Sequence, residues 1–149
     1  MDSLLKRQEG LLRRLAALLR EEKEVLIRED GKRLMEIVAI KESLQDELEA
    51  TEVFRKEQWG KHSIGEIAGR LDKKNGGKLI ERGKGISVLI NEIKELQETN
   101  MMLTRQSAAY SQKLMDILQR TVRKSGITYG QNGAVESVQG VMASIDRSV

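Results

Sequence analysis

Apolar residues recur in steps of three and four along most of the chain, which is the spacing of one face of an α-helix. In the first segment, from about Ser3 to Arg28, two neighbouring columns of apolar residues repeat every seven positions. The columns are Leu4, Leu11, Leu18 and Val25, and beside them Leu5, Leu12, Leu19 and Leu26. Two adjacent columns make a stripe wide enough to contact more than one helix. The pattern therefore predicts a long helix packed against several neighbours.

The same spacing predicts two more long helices, over about 32–59 and about 78–124. The second has an apolar seam at Leu34, Ile37, Leu44 and Leu48, and the third has its main column at Leu89, Leu96, Leu103, Tyr110 and Ile117. At 1.5 Å per residue the third would be roughly 70 Å long and each of the first two roughly 40 Å. The third helix must therefore extend beyond the other two or be covered by another element.

A short helix is predicted between the second and third long ones. Ser63 and Glu66 have the spacing of a capping box, in which each side chain binds the backbone amide of the other residue. Ile64, Ile67, Ala68 and Leu71 would form its apolar face. We expect Asn75-Gly76-Gly77 to end it, since these residues favour helix termination. Gly83 and Gly85 should also weaken the start of the helix that follows.

Glycines then separate a helical body, residues 1–124, from a C-terminal tail, residues 125–149. The junction is Tyr129-Gly130-Gln131-Asn132-Gly133. Beyond it the apolar positions have helical spacing, at Val135, Val138, Val141, Met142 and Ile145. The predicted fold is all-α: an elongated antiparallel bundle of three long helices, with a short extra helix and a flexible amphipathic C-terminal tail.

The tail is too small to fold alone. Five apolar side chains contribute roughly 1.5–3 kcal/mol each when fully buried, whereas ordering each backbone residue costs roughly 1–2 kcal/mol. A partner that offers a groove would reverse the balance, so the tail is a candidate partner-binding segment. Two alternatives remain open: the tail folds back on the body, or it is a frayed terminus.

Composition argues against enzymatic and redox functions. Proline and cysteine are absent and 33% of residues are charged, a profile typical of long helices and coiled coils. His62 is the only histidine, so neither a nucleophile–histidine–acid set nor a carboxylate–histidine di-metal site is expected. We expect no cofactor and no metal. No continuous apolar run predicts a signal peptide or a membrane span, which favours a cytoplasmic protein.

Two polar residues occupy seam positions. Lys41 lies on the seam of the second helix, where its stem can pack while its ammonium reaches water. Asn100 interrupts an apolar column of the third helix. It either fixes the register of the packing from a buried position or marks a point where the column turns towards solvent.

The order of these features resembles the FlgN family of flagellar export chaperones. The first helix ends in Glu21-Glu22-Lys23-Glu24 and is followed by Asp30. The second carries Leu34-x-x-Ile37-x-x-x-Lys41-x-x-Leu44-x-x-x-Leu48, and the third carries Leu96-x-x-x-Asn100-x-x-Leu103. Tyr129-Gly130-x-x-Gly133 and the amphipathic tail complete the match, while the glycine-containing middle segment matches least well.

The resemblance implies a chaperone that binds the C-terminal helical regions of the hook–filament junction proteins. It would keep them soluble and deliver them to the type III export apparatus, with contacts to the gate protein and to components of the ATPase complex. The substrate contact would be the tail residues Val135, Val138, Val141, Met142 and Ile145. Tyr129 matches by position a tyrosine linked to docking on the export gate.

Two other functions compete with this one. A coiled-coil structural or adaptor protein would use the apolar stripes to self-associate, and a homodimer is left open. The burial of Asn100 within one chain or between two would discriminate these cases. A nucleic-acid-binding module would rely on the basic cluster in residues 73–84, but it lacks the wider basic face and the aromatic platforms that such modules use. We expect no nucleic-acid partner.

Overall fold

A computed structural model describes residues 1–118 and 140–149 of the chain, and its described part is almost entirely helical. The elements in chain order are α1 (Asp2–Arg28), α2 (Gly31–Trp59), α3 (Ile64–Ala68) and α4 (Lys73–Leu118). Residues 140–148 form a further helix, called here the C-terminal helix. No strand occurs in residues 1–118 or 140–149. The predicted all-α class, with three long helices and one short one, is confirmed.

The turn between α1 and α2 lies at the predicted position. Glu29 adopts a left-handed conformation with φ of 57° and ends α1. The carboxylate of Asp30 then caps α2 by accepting a hydrogen bond from the backbone N–H of Arg33 at 3.1 Å. Gly31 is the first residue of α2, so the left-handed position is taken by Glu29 and not by the glycine two residues later.

Helix α1 is the centre of the bundle, because it packs against both α2 and α4 while α2 and α4 have no comparable contact with each other. Its wide apolar stripe thus contacts two helices, as predicted. Contacts near the turn join the end of α1 to the start of α2, so these two helices are antiparallel. Arg82 near the start of α4 binds Asp2 and Glu9, so α4 runs parallel to α1.

Helix α3 is held at the start of α4 by a close backbone contact. The capping box is present: the N–H of Glu66 donates to Ser63 Oγ at 3.2 Å, and the N–H of Ser63 donates to Glu66 Oε2 at 2.8 Å. A Cβ atom at Gly76 would lie 2.6 Å from the carbonyl oxygen of Ala68. Glycine at this position lets the two backbones approach.

The expectation that Asn75-Gly76-Gly77 ends the short helix is wrong. These residues lie inside α4, which begins at Lys73, and α3 already ends at Ala68. Asp72 explains the earlier start of α4, because its carboxylate accepts hydrogen bonds from the backbone N–H and the side-chain amide of Asn75. The helix also continues through Gly83 and Gly85. Packing and capping outweigh the low helix propensity of glycine here.

Helix α4 extends beyond its neighbours. It has 46 residues, against 27 in α1 and 29 in α2. Beyond Asn100, no side chain of α4 that the structure describes is buried. Both arrangements expected for the longest helix are therefore observed: α4 extends beyond its neighbours at its C-terminal end, and α3 covers its start.

A groove between α2 and α4 holds the C-terminal helix

The C-terminal helix occupies a groove between α2 and α4, called here the α2–α4 groove. On the α2 side, Ser144 Oγ donates a hydrogen bond to Glu52 Oε1 at 2.9 Å. On the α4 side, Lys94 Nζ lies 3.0 Å from Asp146 Oδ2. Val149 lies against Gly83 of α4: a Cβ atom added to Gly83 would lie 3.4 Å from Cγ1 of Val149. The order of these contacts makes the C-terminal helix antiparallel to α4.

The apolar face of the C-terminal helix is part of the core. Met142 is 1% exposed and Ile145 is 0% exposed, and both belong to the same cluster as the leucines of α1. Val141 and Val149 are half-buried against that cluster. The alternative in which the tail folds back on the body is therefore observed for residues 140–149.

The structure places the predicted site residues in two groups. Met142 and Ile145 are buried in the α2–α4 groove, with Val141 at its edge. Val135, Val138 and Tyr129 lie outside the described residues. Their roles stay predictions, as does partner binding by the whole set, and for Met142 and Ile145 such binding requires the C-terminal helix to leave the groove.

A buried ion pair forms the α2 wall of the groove. Arg55 Nε and Nη2 donate to the two carboxylate oxygens of Glu52, each at 2.9 Å, and both side chains are about nineteen-twentieths buried. The remaining nitrogen, Arg55 Nη1, has no hydrogen-bond partner among the described residues. Sequence reasoning missed this pair. The sequence did indicate that these two side chains face the core, because Glu52 and Arg55 continue the helical spacing of the α2 seam beyond Leu48.

A second polar cluster lies in the core, near the C-terminal end of α1. Lys41 Nζ binds Glu22 Oε1 at 2.8 Å, and Asn100 Nδ2 donates to Glu22 Oε2 and to the carbonyl of Leu19, each at 2.9 Å. The expectation that the Lys41 ammonium reaches water is wrong, because the buried Glu22 carboxylate binds it. Asn100 is 4% exposed and binds α1 of its own chain, so the α4 stripe at this level packs within one chain.

Each member of this cluster comes from one of the segments that carry the family resemblance. Glu22 belongs to the acidic end of α1, Lys41 to the α2 seam and Asn100 to the α4 motif. Glu22 lies seven residues after Leu15 and fourteen after Gln8, which is also buried. Gln8, Leu15 and Glu22 thus form a third column with a seven-residue repeat, between the two apolar columns of α1. It was not predicted because two of its three residues are polar.

The basic cluster of residues 73–84 is partly neutralised. Arg82 donates to Asp2 at 2.8 Å and to Glu9 at 2.7 Å. The hydrogen bond to Asp2, with a smaller contribution from Glu9, raises the pKa of Arg82 against the opposing effect of burial. The lysines of the cluster are exposed. Arg82 thus links α4 to α1, and its charge is paired within the bundle.

The geometry defines a class of protein: a helical bundle whose own C-terminal helix packs in a groove between two of its long helices. Within residues 1–118 and 140–149, no group of histidine and carboxylate side chains is arranged to hold a metal ion. None of the helices in these ranges has the apolar length that crossing a membrane requires.

Comparison with known families assigns the chain more closely. A family model described as FlgN protein matches residues 1–137, so the chain belongs to the FlgN family. Proteins of this family are flagellar export chaperones and not enzymes. Comparisons with curated proteins and with solved structures gave no match.

Proposed function

We propose that this protein is a cytoplasmic export chaperone for the flagellar hook–filament junction proteins. It would bind their C-terminal helical regions, keep them soluble and deliver them to the type III export apparatus. The observation that carries the proposal is the family match over residues 1–137. The bundle supports it, because its groove already accommodates an amphipathic helix, the kind of segment the proposed substrates would present.

The tail supplies the substrate contact in this proposal. Its apolar residues Val135, Val138, Val141, Met142 and Ile145 have the spacing of one helix face. A helix of the substrate would pack against that face, and the ordering of the tail would consume part of the interface energy. The resulting affinity is compatible with release of the substrate at the export apparatus.

The test is calorimetric titration of the C-terminal helical region of each junction protein into the full chain. Val138→Asp places a carboxylate in the proposed apolar contact, and Ala143→Asp places the same charge on an exposed position of the C-terminal helix. We expect Val138→Asp to weaken binding about tenfold or more, since an unpaired charge in an apolar contact costs over ~1.4 kcal/mol. Ala143→Asp should change the affinity for the junction-protein region little.

Two results would contradict the assignment. If neither junction protein binds the wild-type chain, the proposed substrates are wrong. If Val138→Asp and Ala143→Asp weaken binding equally, the tail face is not the contact, and the effect is one of net charge.

Tyr129 is proposed to dock the chaperone on the membrane export gate. Tyr129→Ala should weaken binding to the cytoplasmic domain of the gate protein without changing the affinity for a junction protein, and Tyr129→Phe should show whether the ring or the hydroxyl is recognised. Equal gate affinity for Tyr129→Ala and wild type would rule this role out.

A further inference from the structure

We propose that the α2–α4 groove is itself a docking site for a helix of the substrate, and that the C-terminal helix is its placeholder in the free protein. The inference rests on the proposed function, because it takes the substrate to be a protein helix. It goes further by assigning a second contact surface on the body of the bundle, separate from the tail face. Substrate entry into the groove would release Met142 and Ile145 for their own contact.

The attachment of the C-terminal helix is of a kind that can open. Helices in proteins take most of their stability from packing of an amphipathic face, so the helicity of residues 140–148 depends on the groove. The Lys94–Asp146 pair at its border is 45% and 39% exposed, and exposed ion pairs contribute little. Chain termini are among the segments that open first, and the burial of Met142 and Ile145 is what opposes opening here.

The groove keeps its polar wall when the C-terminal helix leaves. Glu52 and Arg55 bind each other within α2, so among the described residues the hydrogen bond from Ser144 is the one that is lost on that side. The opened groove would expose apolar core next to a preformed ion pair. Leaving such a surface open to water is unfavourable, which favours a second occupant.

The substrate helix can satisfy an atom that the C-terminal helix does not. Arg55 Nη1 is buried and has no hydrogen-bond partner among the described residues. Leaving a buried donor unpaired is costly, and an acceptor oxygen on the incoming helix would remove that cost. This difference favours the substrate over the placeholder.

The groove specifies the chemistry of its occupant. Met142 and Ile145 occupy it one helical turn apart, Ser144 supplies a hydroxyl to Glu52, and Asp146 supplies a carboxylate to Lys94. The substrate segment should therefore be an amphipathic helix with two apolar residues three positions apart. It should also carry a carboxylate near Lys94 and an acceptor oxygen near Arg55.

A reversible lock tests whether the groove must open. The chain has no cysteine, and a Cβ atom at position 83 would lie 3.4 Å from Val149 Cγ1, within reach of a disulfide. In the double variant Gly83→Cys/Val149→Cys, the oxidised form should bind a junction-protein helix about tenfold more weakly than wild type, and reduction should restore the affinity. Equal affinity of the two forms would overturn the inference.

Thiol labelling of two single variants then separates groove occupancy from simple release of the tail. Binding of the junction-protein helix should raise the maleimide labelling rate of Val149→Cys about tenfold, because the C-terminal helix leaves. The rate of Gly83→Cys should not rise, because the substrate helix replaces Val149 on one side of that position and Ile64 of α3 still covers the other. Unchanged helical content of each variant confirms that the bundle is intact.

The other outcomes overturn the inference in identifiable ways. A rise at both positions would mean that the tail leaves and the groove stays empty. No rise at Val149→Cys would mean that the substrate binds with the C-terminal helix in place. A rate at Gly83→Cys that rises on dilution of the free protein would assign the groove to the tail of a second copy. Absence of any binding by wild type would refute the proposed function as well.

Discussion

The buried Lys41–Glu22 pair allows a quantitative test of the core. Lys41→Met keeps most of the side-chain volume and removes the charge that lies 2.8 Å from Glu22 Oε1. Both side chains are 7% exposed, so the carboxylate left behind would be buried without its counter-charge. Removing one partner of a buried pair costs about 3–5 kcal/mol. We expect the lower end, about 3 kcal/mol, because Asn100 still donates a hydrogen bond to Glu22 Oε2.

Urea denaturation followed by circular dichroism measures this change. A loss of about 3 kcal/mol lowers the transition midpoint by about 1–3 M, given the usual denaturant sensitivity of small proteins. The double variant Glu22→Met/Lys41→Met should be more stable than Lys41→Met alone, because apolar side chains of similar volume are tolerated where an unpaired charge is not.

The matched control is Arg33→Met, which breaks the ion pair of Arg33 with Glu21 between the same two helices. Those side chains are 37% and 40% exposed, so solvent screens the pair and the midpoint should shift far less. Two results would refute the reasoning. One is a loss of less than about 1 kcal/mol for Lys41→Met; the other is strict additivity in the double variant, which would show that the two groups are not coupled.

Two smaller predictions concern the start of α4 and the short helix before it. Gly77→Ala should raise the free energy of unfolding by about 0.5–1 kcal/mol, since nothing lies within 4 Å of the added Cβ. Gly76→Ala should lower it, because contact with the Ala68 backbone costs about 1–3 kcal/mol and outweighs that gain; equal melting temperatures of the two variants would contradict the close approach. The hydrogen bond from the Ser63 N–H lowers the pKa of Glu66, so its contribution is present above the unfolded-state pKa and is lost as pH falls through the folded-state value. The stability difference between wild type and Glu66→Gln should therefore shrink between about pH 5 and about pH 3, and a constant difference in thermal unfolding would reject this cause.

The helices could be predicted from the sequence because their apolar residues repeat without interruption. The two columns of α1 identified both its length and its contact with two neighbours, and the turn fell in the gap left between the first two predicted helices, after Arg28. The start of α4 could not be predicted, because the four glycines at positions 76, 77, 83 and 85 suggested a break. Tertiary contact decided otherwise: the backbone of Ala68 approaches Gly76, and this contact is invisible to a local propensity argument.

The candidate site was only partly predictable, and for a different physical reason. The spacing of Val141, Met142 and Ile145 identified an apolar helix face, but a face does not specify what covers it. Whether it packs on the body or on a partner depends on the groove, whose walls come from residues far away in the sequence: Glu52, which binds Ser144, is 92 positions earlier and Lys94, which binds Asp146, is 52 positions earlier. The buried charges were missed because charged residues at seam positions look like interruptions of the pattern.

The position of the C-terminal helix bears directly on how such a chaperone would regulate its affinity. Met142 and Ile145 cannot be buried in the body and in a substrate contact at the same time. The protein therefore cannot bind substrate through these residues while the C-terminal helix lies in the groove. If only about one molecule in a hundred has the helix released, the apparent affinity of the tail is reduced about a hundredfold relative to its intrinsic value. A substrate helix that enters the groove removes this reduction, because it holds the tail in the released state. The same coupling works in reverse: when the substrate helix is drawn out of the groove, the C-terminal helix can return and disfavour rebinding. Tight holding of the substrate and its complete release are thus compatible in one small bundle, provided that both helices fit one groove.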